Sequence, residues 1–244
     1  MDEFSQLPVR RFEVHPADPP DTDEWPLTVP AVAQFVSEGF SPGPLTVLVG
    51  ENGSGKSTLV EAMAGAFGLN LEGGSTGAQN RTFESESGLH RHLRCVRSAG
   101  AAKWGFFLRA ETMHSFFTYL AENPGNAYTR DPVFHHLSHG ESFRALVESS
   151  RFDGPGFFVL DEPESALSFS AQLGLLSHLI AITADGRSQV VLSTHSPVLA
   201  SLPGARILEL GDWGYRETAW GDLELIDHYR RFLDGPERYL RYLR

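Results

Sequence analysis

The sequence predicts an α/β fold, a mostly parallel central sheet flanked by helices. Three observations lead there. Short β-rich apolar runs recur at Leu45-Thr46-Val47-Leu48-Val49, Phe157-Phe158-Val159-Leu160 and Val190-Val191-Leu192, the pattern of strands buried on both faces. Segments with apolar residues at helical spacing lie between these runs, and alternation of this kind gives a parallel sheet covered on both sides. The runs end in glycine, acid or histidine-containing segments, at the sheet edge where such folds bind ligands.

The elements follow in order. Residues 1–30 are rich in proline and acid and read as an irregular lead-in with one strand around Val9–Val14. The Leu45 run is a strand, and a glycine loop follows it. Residues 57–67 carry Leu59, Val60, Met63 and Phe67 at helical spacing, with Gly68 as a stop. Residues 70–103 lack clear periodicity, with a helix expected over 88–96. Gly105-Phe106-Phe107-Leu108 is a strand, residues 114–120 are helical, and a helix with a clear start spans 138–149. The Phe157 strand precedes a helix over 168–183, with Leu173, Leu176 and Ile180 on one face. The Val190 run, Ile207-Leu208-Glu209-Leu210 and a terminal helix over 236–243 complete the chain. The whole is expected to form a single domain, 1–244, with a reduced helical lobe over about 105–155 and a C-terminal extension over about 211–244.

Composition narrows the function classes. The 244 residues suffice for one domain with a full core, and 41% hydrophobic with 21% charged residues is ordinary for a globular protein. The formal net charge of -11 argues against bulk attraction to nucleic acid or an anionic membrane, so nucleic-acid binding would need a local basic patch. Arg91, Arg94 and Arg97, at i, i+3 and i+6, would form such a patch on a helix. The single cysteine, Cys95, cannot form an internal disulfide, which points to a reducing cytoplasm. No run of about 18 apolar residues occurs, so no direct membrane insertion is expected, and the acidic N-terminus lacks the apolar core of a signal peptide. Only Lys56 and Lys103 are lysines; a lysine kept inside a glycine loop suggests that arginine will not do there.

Four motifs carry chemistry. Gly50-Glu51-Asn52-Gly53-Ser54-Gly55-Lys56-Ser57 fits G-x-x-x-x-G-K-[ST] between a strand and a helix. Glycines let successive N–H groups converge on phosphate oxygens, and the helix N-terminus adds a positive dipole end. These residues with Thr58 are the ATP-binding candidates; Lys56 reaches the β- and γ-phosphates and Ser57 binds Mg²⁺. The bland alternative is a plain strand-to-helix turn. The Phe157 run ends in Asp161-Glu162; Asp161 would hold Mg²⁺ through water and Glu162 would orient the attacking water. Strands often end in acids, so this pair gains its meaning from the glycine loop. Ser138 and Glu141 fit a capping box, S-x-x-E, and a serine, an open glycine and a helix N-terminus also suit an anion. His195 lies in Ser193-Thr194-His195-Ser196, at a strand end. A lone histidine is usually structural, but this position borders the ligand edge. The nine other histidines include His135-His136, and no spacing suggests zinc.

The order of these motifs resembles the nucleotide-binding domains of ABC-type ATPases, most closely the soluble branch that includes SMC heads and small bacterial AAA-family ATPases. The glycine loop resembles Walker A, and Leu137-Ser138-His139-Gly140-Glu141-Ser142 resembles the signature L-S-G-G-Q. Leu160-Asp161-Glu162 resembles Walker B with its catalytic glutamate, and Ser165-Ala166-Leu167 the start of the D-loop. His195 falls 33 residues after Glu162, where the switch histidine belongs. The resemblance covers roughly residues 27–210 and implies an ABC-type P-loop NTPase whose short helical lobe carries the signature. Departures are His139 for a glycine, Glu141 for a glutamine and Ser168 for a D-loop aspartate. Glu111 is the Q-loop and metal candidate, with Gln79 second; Trp25 and Phe35 are the aromatic candidates for adenine, core packing being the expected role of Phe35.

The resemblance further implies ATP hydrolysis with Mg²⁺, with Lys56, Glu162 and His195 as the catalytic set. Each site would be shared across a head-to-tail homodimer, one copy giving Ser138, His139, Gly140 and Glu141 to the ATP of the other. The expected role is a soluble, cytoplasmic ATP-dependent switch in DNA maintenance, defence or another process, acting on an unidentified protein partner. The alternative is the detached ATP-hydrolysing subunit of a membrane transporter. The short stretch between Glu111 and Leu137 argues modestly for the first.

Overall fold

A computed structural model describes residues 6–75, 87–123 and 132–241, with the side chains of His135 and His139 excepted. Its strands are β1 (Val9–Val14), β2 (Leu45–Gly50), β3 (Gly74–Ser75), β4 (Leu93–Arg97), β5 (Gly105–Arg109), β6 (Phe157–Asp161), β7 (Gln189–Thr194), β8 (Arg206–Gly211) and β9 (Gly214–Glu217). The helices are α1 (Pro30–Glu38), α2 (Lys56–Phe67), α3 (Met113–Glu122), α4 (His139–Val147), α5 (Phe169–Thr183), α6 (Pro197–Ala200), α7 (Glu224–Asp234) and α8 (Glu237–Leu240).

The main sheet has the order β3-β5-β6-β7-β2-β8-β9. Its five inner strands are parallel and its two edge strands antiparallel. Side-chain alternation divides each inner strand between two cores. Val47, Val49, Phe106, Leu108, Phe158 and Leu160 join α3, α4 and α5 on one face. Leu48, Phe107, Phe157, Val159 and Val191 join α1, α2 and β1 on the other. Burial on both faces explains why these strands read as continuous apolar runs. β2 lies between β7 and β8, and β7 separates it from β6. The glycine loop, Asp161-Glu162 and His195 therefore emerge at the same edge, from β2, β6 and β7.

Three expectations are corrected. Residues 88–96 are not helical: a single 3-10 turn, Leu89–His92, leads into β4, which pairs antiparallel with β1. Pairing with a partner strand overrode a weak helical spacing. The three arginines consequently form no common face. Arg94 ion-pairs with Glu13, while Arg97 lies over the Phe67 ring at 4.1 Å and donates to the Phe67 carbonyl at 2.5 Å. On α5 the buried stripe is Leu175, Leu176 and Leu179, whereas Leu173 and Ile180 are 47% and 40% exposed. The helix has apolar residues on two stripes, and only contact with the sheet selects one. Elements without a sequence expectation are α1, nine residues long, the two-residue strand β3, the short helix α6, the short hairpin strand β9, and α7. Gln79 lies outside the described residues.

Candidate functional site

The glycine loop owes its shape to backbone that other residues resist. Gly53 and Gly55 have φ of 81° and 96°, in the left-handed region that glycine tolerates best. Gly55 also abuts α1: a β-carbon there would stand 3.0 Å from Val29 Cγ1 and 3.1 Å from Val32 Cγ2. Lys56 follows as the first residue of α2 and is 4% exposed. Its ammonium donates to the carbonyls of Gly50 at 2.9 Å and Glu51 at 3.0 Å. Burial lowers its pKa, against the opposing pull of Glu162, Asp161, Glu164 and Glu51. A buried ammonium satisfied only by loop carbonyls suits a phosphate ligand, which would supply charge-assisted bonds. Ser54 Oγ is buried without a partner in the same loop.

Asp161 ends β6 at 4% exposure. Its Oδ1 accepts from Ser57 Oγ at 3.3 Å and from the Ser193 hydroxyl. Burial raises its pKa, while the Ser193 hydrogen bond and Arg109 pull it down. Among the described residues no cluster of three or more His, Cys, Asp or Glu could hold a metal alone. One carboxylate beside one hydroxyl at a phosphate loop is the small protein share that Mg²⁺ takes when phosphates supply further oxygens. The residues present therefore fit that ion together with a nucleotide.

Glu162 is the one non-glycine residue with positive φ among those described, at 46°. Such backbone is sparsely populated and concentrates at functional sites. Its N–H donates to the Ser193 carbonyl at 3.1 Å, continuing the parallel pairing of β6 with β7, and its left-handed backbone, φ 46° and ψ 49°, then turns the chain. Its Oε1 lies 3.0 Å from His195 Nε2, so the carboxylate accepts from the Nε2–H tautomer. The His195 backbone N–H donates to Glu164 Oε1 at 2.5 Å.

The signature residues lie apart, at an exposed helix end. Ser138 caps α4: its Oγ accepts from the Glu141 N–H at 3.4 Å, and Glu141 Oε2 accepts from the Ser138 N–H at 2.9 Å and hydroxyl at 2.6 Å. These bonds from Ser138 hold the Glu141 carboxyl below its ordinary pKa. The capping-box reading thus holds, whatever else this helix end does. Gly140 faces the D-loop segment, where an added β-carbon would stand 3.6 Å from the Ala166 carbonyl oxygen. Glu111 lies in the 3-10 turn Ala110–Thr112, with its side chain 77% exposed and 3.3 Å from Arg109 Nη2. Phe35 is 1% exposed and packs on Phe40 at 5.6 Å, so it is a core residue and cannot stack on a base. Trp25 is 59% exposed.

Four residues at this edge had no assigned role from sequence. Ser193 bonds Asp161, Glu164 holds the His195 backbone, and Arg109 and Glu61 form a buried ion pair at 2.5 Å next to Asp161. Arg109 directly follows an apolar strand run, which was the available signal. The contact with Glu61 on α2 had none.

The family model described as "ABC transporter" matches residues 34–165, more than half of the chain. The chain belongs to the ABC transporter family. It is an ABC-type ATPase. A second family model, for an AAA domain, matches residues 135–201. Among curated relatives, this ABC-type chain is 29% identical over 180 residues to the cytochrome c biogenesis ATP-binding export protein CcmA of Pseudomonas putida, covering 70% of this chain and 85% of that one. It is 24% identical over 203 residues to the zinc import ATP-binding protein ZnuC of Marinobacter nauticus, covering 81% and 77%. Among solved structures, the SMC head domain from Thermotoga maritima is similar over 74% of this chain and 93% of its own, at 15% identity and a TM-score of 0.43. No helix among the described residues of this ABC-type ATPase is long and apolar enough to cross a membrane.

Proposed function

We propose that two copies of this chain close head to tail on two ATP molecules, hydrolyse them and reopen, and that this cycle drives a separate membrane-embedded partner. The observation that carries the hydrolytic half is Glu162, turned by its positive φ and bonded to His195 at 3.0 Å, beside Asp161 and the buried Lys56. The relatives support the second half, since CcmA and ZnuC are named as export and import ATP-binding proteins. A soluble cytoplasmic switch is the second reading. The AAA-domain match over 135–201, which spans Ser138, Glu162 and His195, favours it, as does the short stretch between Glu111 and Leu137.

The residues would divide the work as follows. The Lys56 ammonium exchanges its two carbonyls for phosphate oxygens, and the backbone of residues 50–58 cradles the phosphates. Ser57 and Asp161, with Glu111 as a further candidate, would hold Mg²⁺, which neutralises phosphate charge when bound. Glu162 accepts the proton of the attacking water, and His195 holds Glu162 and reaches the γ-phosphate. Ser138 and Gly140 at the start of α4 in the facing copy cap that phosphate with N–H and hydroxyl donors. His139 lies between them in the chain and Glu141 follows, fixing Ser138 through the capping box. Trp25 is the remaining aromatic candidate for the adenine.

The test is the mass of Glu162→Gln by light scattering after size exclusion. With ATP and Mg²⁺ it is expected at twice the 26.9 kDa of the chain, and smaller with ADP, because ATP that engages only the closed state shifts the equilibrium toward it. Adding Ser138→Arg should abolish the ATP-dependent dimer while leaving ATP bound to the monomer. An oligomeric state indifferent to ATP in both variants refutes the shared site. Tagged Glu162→Gln recovered with a membrane protein supports the transport reading, and recovery solely with soluble proteins supports the switch.

A further inference from the structure

Arg109 ends β5 directly opposite Asp161, its register partner on β6. Its side chain is 15% exposed and stands among three carboxylates. Nη1 pairs with Glu61 Oε1 at 2.5 Å and Nη2 with Glu111 Oε2 at 3.3 Å, while Nε stops 4.0 Å from Asp161 Oδ2. That Nε is buried and has no hydrogen-bond partner. The Asp161 carboxylate is correspondingly asymmetric: the hydroxyls of Ser57 and Ser193 both bond Oδ1, and Oδ2 faces the guanidinium. A buried N–H left unbonded within reach of a carboxylate is costly, and a small movement would join them. The ion pair with Glu61, on α2, holds the guanidinium short of that contact.

We infer that Arg109 is a charge gate on the cation site: a positioning residue that keeps free divalent cations away from Asp161 until nucleotide phosphates arrive, with Glu61 setting its reach. A cation arriving alone finds Asp161 Oδ1 already bonded by two hydroxyls and the Arg109 guanidinium facing Oδ2. Glu162, Glu164 and Glu51 act on the nearby Lys56, and Glu61 and Glu111 pair with Arg109, so the gate works on the Asp161 oxygens and not through a positive field over the whole edge. Repulsion between charges a few ångströms apart is strong where water is scarce. ATP phosphates reverse the balance, so the metal enters as the nucleotide complex. Arginine suits this role because its charge persists at any relevant pH and its fork can engage two carboxylates at once. The inference rests on the reading that Ser57 and Asp161 hold the cation.

The full chain without nucleotide is titrated with Mn²⁺, and free Mn²⁺ is followed by electron paramagnetic resonance. The parent should bind weakly. Arg109→Gln should bind Mn²⁺ alone about tenfold or more tightly, and Asp161→Asn in that background should remove the gain. Arg109→Lys, which keeps the charge, should behave like the parent, whereas a merely structural loss would not be rescued by charge. Glu61→Gln provides the measurement should Arg109→Gln not fold. There the guanidinium is released toward Asp161, and the ratio of ATP affinity with Mn²⁺ to that with EDTA should fall. An Arg109→Gln chain that folds without gaining Mn²⁺ affinity, or an unchanged ratio in Glu61→Gln, overturns the gate. Asp161→Asn alone separates the premise: Mn²⁺-dependent ATP binding insensitive to it would refute the cation site itself.

Discussion

Gly55→Ala tests how α1 braces the phosphate loop. Gly55 has φ 96° and ψ 7°, and an L-residue in the left-handed region costs about 1–2 kcal/mol. The new β-carbon would stand 3.0 and 3.1 Å from the methyls of Val29 and Val32, inside the optimal carbon separation of about 3.5–4.0 Å. Overpacking of this kind adds about 1–3 kcal/mol. Loss of glycine's freedom in the unfolded chain offsets about 0.4–1 kcal/mol. The net loss is about 3 kcal/mol. Gly53→Ala is the internal control: its φ is 81°, but nothing lies within 4 Å of the added carbon. Strain alone should cost it about 1 kcal/mol after the same offset. The loss in Gly55→Ala divides between stability, if α1 yields, and ATP affinity, if the loop yields. Denaturant unfolding measures the first and calorimetry with ATP the second. Their sum should exceed that of Gly53→Ala by about 1–3 kcal/mol, the overpacking cost, where 1.4 kcal/mol is about tenfold in affinity. Equal sums in the two variants would show that α1 does not brace the loop.

Two further substitutions probe the catalytic edge. Lys56→Met should lose most ATP affinity while unfolding at a higher temperature than the parent, because burial depresses the lysine pKa and the charged form therefore opposes folding. The unfolded chain binds that proton more tightly, so parent stability should rise, and the gap between the two melting curves narrow, as pH climbs toward the ordinary lysine range; a gap that widens would contradict the assignment. His195→Ala should keep ATP binding and lower turnover by about tenfold or more, the effect of losing a positioned acid–base group, and parental turnover would make His195 structural.

The strands that position the site were legible because burial on both faces leaves a local trace: β2, β6 and β7 are each built on a β-rich apolar run. The glycine loop was legible for a related reason, since cradling phosphate needs particular residues at consecutive positions. The helix at Ser138 was readable from its cap, whose bonds span three residues. Where the deciding contact is remote, sequence signals failed. β4 pairs with β1 some eighty residues earlier in the chain, and that pairing cancelled both the helix expected over 88–96 and its row of arginines. The buried stripe of α5 depended on which side met the sheet.

By itself the sequence picked out the candidates at this edge, the glycine loop, the carboxylates that end the strand and the histidine that follows, because each is written in a contiguous segment. Tertiary structure alone decided how these groups are held. The strand register sets Arg109 opposite Asp161, the turn after β6 puts Glu162 within 3.0 Å of His195, and α2 brings Glu61 to the guanidinium. Those partners are 33 to 52 positions apart, and residues so separated leave no periodicity that a linear reading could detect. Charge balance around a buried site is a property of packing, so only the folded chain displays it.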